Sequence, residues 1–393
     1  MQQAQQQQQA QQQQAQQQQA QQQQQPHTRI LTNPEWAALQ QELGFSVIMG
    51  TRSMGDLLVL SVPNPDSVNF HIVQFPLCMG MDVQGDHLAV VCQTDIRQYH
   101  DVLVHPRIES PIYHKCYTPR SISFTGDLDI HEMKYDHTGT PLFVASKYSC
   151  LGVPSATHSM KPVWQPKFIK ELNPADACHL NGLCMENGEA KYVTLFAATA
   201  EPNGWRNMPF NSGMVWSVEE QEAVCTGLVQ PHSPRLHEGE LYVLNSGAGE
   251  FGRIDVETGK YECIAFVGGY GRGLSFVGDY AVFGVSKPRH NMYVENFPLH
   301  DRLRALGEID RCQLVAVNLK TGNVIPAVTF EGAARELFDT IILPDCRHAV
   351  IMNLDEAQHP DLVVLEGQAN NTPPAQKPET LEPVVPVEPV EEC

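Results

Sequence analysis

One short unit, a strand, a Gly turn and a second strand, recurs along the chain, and no other feature constrains the fold as much. Met79-Gly80-Met81-Asp82-Val83-Gln84-Gly85-Asp86-His87-Leu88-Ala89-Val90 aligns without a gap onto Arg272-Gly273-Leu274-Ser275-Phe276-Val277-Gly278-Asp279-Tyr280-Ala281-Val282-Phe283. With a few residues added at the turn, the unit returns at His131-Glu132-Met133-Lys134-Tyr135, leading to Gly139. It returns again at Asn181-Gly182-Leu183-Cys184-Met185, leading to Gly188, and at His232-Ser233-Pro234-Arg235-Leu236, leading to Gly239. A weaker sixth copy is Glu336-Leu337-Phe338-Asp339, followed by the turn Pro344-Asp345. All-β units repeating every ~40–50 residues are the mark of propeller blades. A single four-stranded blade cannot cover both faces of its sheet, and stacking around a ring buries them.

Six copies predict an all-β, six-bladed β-propeller. The sixth blade is expected to hold inner strands near 337–343 and 348–354 and another at 361–365. Strands at 45–49 and 57–62, left over at the N-terminal side, complete that sheet and close the ring, which limits exposed edges. Two β-sandwiches are the competing architecture, but they give regularly spaced strands without a repeated strand–turn–strand motif. Val256-Glu257-Thr258-Gly259-Lys260 and Leu319-Lys320-Thr321-Gly322-Asn323 read as tight hairpins, with Gly at the position needing positive φ. Asn33-Pro34-Glu35 supplies an N-cap, a proline at N1 and an acidic first turn for a short helix over 34–43, closed by Gly44. A second helix is expected at 300–307.

Composition sets the domain limits. Residues 1–25 are Met1, glutamine and four alanines, and residues 367–393 are rich in Pro and Glu. Neither end can bury enough apolar surface to offset its ordering entropy, so both are expected to be disordered. The propeller domain is expected over 26–366. The net charge of −19 lacks the basic footprint that nucleic acid or an anionic membrane requires. No apolar stretch reaches transmembrane length, and a Gln tract stands where a signal peptide would need a basic region followed by an apolar one. The cysteines are scattered without a C-x-x-C pair, which points to a reducing, cytoplasmic setting.

In a propeller the innermost strand of each blade lines the channel, so one position read from every copy gives a ring: Met79, His131, Asn181, His232, Arg272 and Glu336. His179 lies two residues before Asn181, on the same strand face. Neutral imidazoles at His131, His179 and His232 are candidate ligands for a divalent metal, with zinc, iron and manganese all suitable. Arg272 and Arg235 suit capture of a substrate carboxylate or phosphate, with Asn181 beside them. Glu336 or Glu132 would serve as general base, and Glu132 could instead orient an imidazole. The expectation is a metal-dependent lyase or hydrolase acting on a small polar, anionic or sugar-derived substrate at the channel mouth. The alternative is a non-catalytic propeller module that binds a peptide, a glycan or a partner protein. Satisfied channel histidines with a purely structural role are the plain alternative to both. The glycine-rich run 267–273 lacks the lysine of a phosphate-binding loop, and the insert 284–310, with Lys287, Arg289, His290 and Asn291, is read either as overhanging the channel or as a solvated surface excursion.

Asp129-Ile130-His131-Glu132, Cys178-His179-Leu180-Asn181-Gly182-Leu183, Gly204-Trp205-Arg206, Pro231-His232-Ser233-Pro234-Arg235, Arg272-Gly273-Leu274 and Glu336-Leu337-Phe338-Asp339 together resemble a bacterial and cyanobacterial family of uncharacterised domains, sometimes fused to tetratricopeptide repeats. The resemblance covers nearly all of 45–365. It implies a site at the channel positions without implying an activity.

Overall fold

The computed structural model describes residues 28–354, apart from 53, 66, 106–107, 288–296, 310 and 333, together with residue 364. After β1 (Arg29–Thr32) and α1 (Pro34–Leu43) come β2 (Ser46–Thr51), β3 (Asp56–Asn64) and β4 (Ser67–Gln74). Five four-stranded meanders follow. They are β5–β8 (Met81–Gln84, His87–Val91, Asp95–Asp101, Lys115–Phe124) and β9–β12 (Ile130–Tyr135, Pro141–Ala145, Cys150–Val153, Lys161–Trp164). Next are β13–β16 (Leu180–Glu186, Glu189–Leu195, Gly213–Ser217, Ala223–Leu228) and β17–β20 (Pro231–His237, Glu240–Asn245, Glu250–Asp255, Lys260–Phe266). The last is β21–β24 (Tyr270–Val277, Tyr280–Ser286, Cys312–Asn318, Val324–Glu331), with α2 (Pro298–Leu306) between its second and third strands. β25 (Leu337–Leu343) and β26 (Ala349–Ile351) end the described chain.

Each meander is one antiparallel blade, and the sixth blade runs β25-β2-β3-β4 from the channel outward. Its inner strand comes from the C-terminal side and its other three from the N-terminal side, so the two ends of the propeller are locked into one sheet. The inner strands pack in sequence, β5 on β9, β9 on β13, β13 on β17, β17 on β21 and β21 on β25, and β25 returns to β5. That closed circle is a six-bladed propeller and excludes the pair of sandwiches.

The strands read as continuous apolar runs because both faces of every blade are buried. In β6, Leu88 and Val90 pack toward β2–β3, whereas Ala89 and Val91 pack toward β9–β10. The same alternation gives one apolar cluster at each of the six blade interfaces. Phe143 and Met133 anchor one, Val193 and Leu151 the next, then Val243 and Val215, Phe283 and Leu244, and Leu314 and Leu58. Each such fully buried side chain contributes about 1.5–3 kcal/mol of transfer free energy.

The expected inner strand at 348–354 takes a different place. Only Ala349–Ile351 is extended, and it pairs in parallel with Lys115–Tyr117 at the outer edge of the first blade. The sixth blade already has its four strands, so the chain beyond β25 covers a neighbour's edge instead. β1 likewise covers the edge of β24, there as an antiparallel partner. Of 361–365 only residue 364 is described, outside any strand. The Gln tract, the Pro/Glu tail and residues 289–291 lie outside the described residues.

Local signals hold. Asn33 Oδ1 accepts the Glu35 N–H, Gly44 ends α1 at φ 68, and Gly259 and Gly322 close their hairpins at φ 70 and 72. α2 spans Pro298–Leu306, two residues earlier than the sequence suggested at its start, because Pro298 takes the first turn. Close approach explains glycine at the second position of the repeat. A Cβ on Gly273, itself at φ 73, would lie 2.5 Å from Thr340 N, and one on Gly182 would lie 2.6 Å from Pro234 Cδ.

Candidate functional site at the channel mouth

Four inner strands are entered through a left-handed residue that is not glycine, always two residues before the ring position: Leu77, Asp129, His179 and Gln230, at φ 53, 51, 48 and 48. Such residues seldom adopt this conformation. Here the turn aims an anchor at the ring. Asp129 Oδ2 lies 3.2 Å from His131 Nε2, and the Gln230 carbonyl lies 2.9 Å from His232 Nδ1. In the third blade the left-handed residue is itself the imidazole: His179 Nδ1 lies 3.0 Å from Asp176 Oδ1, and Asp176 is also left-handed, at φ 44.

These anchors fix the tautomers. Carboxylates and carbonyls only accept, so the hydrogens sit on His131 Nε2, His179 Nδ1 and His232 Nδ1. His131 Nδ1 and His232 Nε2 are buried without a hydrogen-bond partner, and no hydrogen bond to His179 Nε2 occurs among the described residues. Each of these three nitrogens therefore presents a lone pair. Burial pushes His131 down to about 4, more than neighbouring Asp129 restores. Burial and then the Arg272 guanidinium push His232 well below the usual imidazole range. Both rings are neutral near pH 7. Burial alone would raise the Asp129 carboxyl, but His131, His179 and Arg52 hold it well below the usual carboxylate range.

The rings form an unbroken circuit drawn from five blades. His131 meets His179 at 4.9 Å between centroids, His179 meets Phe196 at 4.4 Å, Phe196 meets His232 at 5.4 Å, and His232 meets Tyr270 at 5.3 Å. The Arg272 guanidinium lies 5.4 Å from Tyr270 and 4.5 Å from Phe338, and Phe338 meets His131 at 5.6 Å. Trp205 packs at a tilt against His179, 4.6 Å between centroids, and donates its indole N–H to Asp176. Phe338 thus takes the ring position assigned from sequence to Glu336, which precedes β25 and is half-buried. The sixth copy is better framed two residues later, as Phe338-Asp339, which also brings its turn at Asp345 (φ 52) into line with the other copies. Met79 contributes an apolar side chain, buried in the interface between the first two blades.

Three blades carry a serine at the end of their second strand or directly after it, donating to the next blade's inner strand: Ser146 to Leu180 O, Ser246 to Gly271 O and Ser286 to Leu337 O. The third blade has Phe196 at that place, which explains how a phenyl ring enters the circuit. Asn181 is turned away from any ligand, accepting from Thr194 Oγ1 at 2.7 Å and donating to His179 O at 3.3 Å.

One step deeper the channel is filled by a charged belt. Glu132 pairs with Arg235 and accepts the Leu183 N–H at 3.0 Å. The remaining Arg235 donors go to Leu274 O, Leu183 O and Pro234 O. Lys134 bridges Asp82 and Met81 O, and Asp339 accepts the Met81 N–H. Burial pushes the Asp339 carboxyl up to about 6. Beyond the belt, at the far ends of the strands, lies a separate cavity of about 650 Å3 lined by Asp82, Lys134, Ser275 and Phe276.

The structure therefore brings His131, His179, His232 and Arg272 to one mouth and commits Glu132, Arg235 and Asn181 to the wall. Among the described residues, no three His, Cys, Asp or Glu side chains form a ready-made metal shell; Phe196 stands between His179 and His232. The mouth also holds residues that the repeat position did not select, namely Asp129, Asp176, Phe196, Trp205, Tyr270 and Arg52. The signal for Asp129 was its place two residues before a channel histidine. Nothing local marks Phe196 or Arg52. No helix among the described residues is long and apolar enough to cross a membrane.

Among curated proteins, none matches the sequence. A chain of a nidogen/laminin complex is similar in structure, with 11% identity and a TM-score of 0.49, covering 77% of this chain and 99% of that one. A protein of unknown function from Bacteroides caccae is similar at 9% identity and a TM-score of 0.46, covering 76% and 99%. The profile of a domain of unknown function, DUF4915, matches residues 34–352. With its channel motifs and six blades inside that match, the chain belongs to the DUF4915 family.

Proposed function

We propose that the channel mouth is the working site, and that it is a metal-dependent lyase or hydrolase site for a small polar, anionic substrate. The observation that carries this reading is the set of three imidazoles, each tied through one nitrogen and without a hydrogen-bond partner at the other among the described residues. A metal-ligating histidine usually donates its other ring N–H to a carboxylate or carbonyl, as each of these three does. A divalent ion such as zinc, iron or manganese, held by His131, His179 and His232, would polarise a carbonyl or activate water. Gathering the three around one ion requires a side-chain rotation past Phe196. Glu132 is held by Arg235; Glu336, two residues before the ring position, is the proposed base on this reading. Protein purified without an affinity tag should carry near-equimolar transition metal that is lost in His232→Ala. Metal that is absent, or unaffected by this substitution, overturns the metal reading.

A non-catalytic module for a peptide or glycan is the second reading. It is favoured by the commitment of Glu132, Arg235 and Asn181 to the channel wall, which removes three groups that catalysis would have used. On that reading, alanine at the channel histidines leaves the biological role intact, whereas changes at the outer rim abolish it.

A further inference from the structure

Arg52, in the β2–β3 turn of the closing blade, belongs to neither the repeat nor the motifs, yet it reaches the mouth. Its guanidinium lies 5.7 Å from the Phe338 ring centroid, and that of Arg272 lies 4.5 Å from the same centroid. The two guanidinium carbons are therefore within about 10 Å of each other. Arg52 makes no ion pair or hydrogen bond among the described residues. The carboxylate that feels its charge, Asp129, is engaged with His131. A half-buried guanidinium with five donors and no acceptor is a site for an oxyanion.

The rest of the mouth narrows the class. The unpartnered nitrogens of His131 and His232 are acceptors in the tautomers their anchors set, so they call for hydroxyl groups. Phe196, Tyr270 and Phe338 offer ring surface to the C–H faces of a compact carbon skeleton. We propose that Arg52, with Arg272, grips the carboxylate of a polyhydroxylated carboxylic acid whose hydroxyls donate to His131, His179 and His232. This deepens the reading above and rests on the mouth being a ligand site; it does not rest on the metal.

Titration calorimetry with galacturonate against galactose, which differ at the carboxylate, tests the assignment on the protein as purified. Wild type should bind the acid at least about tenfold more tightly than the neutral sugar. Arg52→Ala should bring the two together, and Arg52→Lys should restore part of the difference, since it keeps the charge but loses the two-pronged geometry. Equal binding of both sugars by wild type, binding of neither, or discrimination unchanged in Arg52→Ala overturns the proposal. Metal content measured on the same samples keeps the two ideas apart. Discrimination without metal removes the metal reading alone, and metal without discrimination removes this assignment alone.

Discussion

The mouth and the belt beneath it are built from neighbouring positions of the same repeat, yet they handle polarity in opposite ways. In the belt each charge has a partner from another blade: Glu132 with Arg235, Asp82 with Lys134, Asp339 with the Met81 N–H. At the mouth, two imidazole nitrogens are buried and unpaired, and the strands are entered through strained turns. A buried polar group left unpaired costs about 1–3 kcal/mol. A fold that satisfies the belt so fully and leaves the mouth unsatisfied has its structural polarity in one layer and its ligand-facing polarity in the other.

That contrast is most sharply tested by breaking the belt. Arg235→Ala leaves Glu132 buried without its cation and should cost about 3–5 kcal/mol in chemical unfolding, whereas Arg235→Met with Glu132→Leu should recover most of it. A loss below about 1 kcal/mol for the single change would mean that the belt is not what holds the channel wall together.

Acidity separates the layers next. The folded-state values of His131 and His232 are depressed, so their contribution is present above the usual imidazole range and is lost as pH falls toward about 4. Asp339 is raised to about 6, so its contribution is present below the usual carboxylate range and is lost as pH rises through 6. Two imidazoles against one carboxyl predict a net loss of stability on acidification between pH 7 and 4. Asp339→Asn should steepen that loss, and thermal melts across this range would read it.

Gly273→Ala comes third. Positive φ and the Thr340 backbone should together cost about 2 kcal/mol and lower the melting temperature. The mouth should respond least in stability and most in binding. His232→Phe removes an unpaired nitrogen but also the hydrogen bond to the Gln230 carbonyl; the two effects oppose each other, so stability should fall by no more than about 1–2 kcal/mol while ligand or metal binding in calorimetry is abolished. A large destabilisation there would make the mouth structural and erase the distinction.

Much of this was legible from the chain because a propeller converts periodicity into geometry. Once a unit recurs six times, residues such as His131, His179 and His232, far apart in sequence, must converge at one axis. The strand runs, hairpins and α1 followed from local rules: alternation between two buried faces, glycine at positive φ, and a capped first turn. Tertiary structure alone decided which polar residues were already spent. Glu132 and Arg235 look like a base and an anion grip in sequence, but they come from blades on either side of the third and pair. Phe338 displaced Glu336 because the frame of a degenerate copy is set by inter-blade hydrogen bonds, here Asp339 to Met81. Arg52 and Phe196 reach the mouth from a turn and a second-strand terminus, where no period applies. A repeating sequence dictates where its strands go, but which partner a buried charge finds depends on contacts made across the ring.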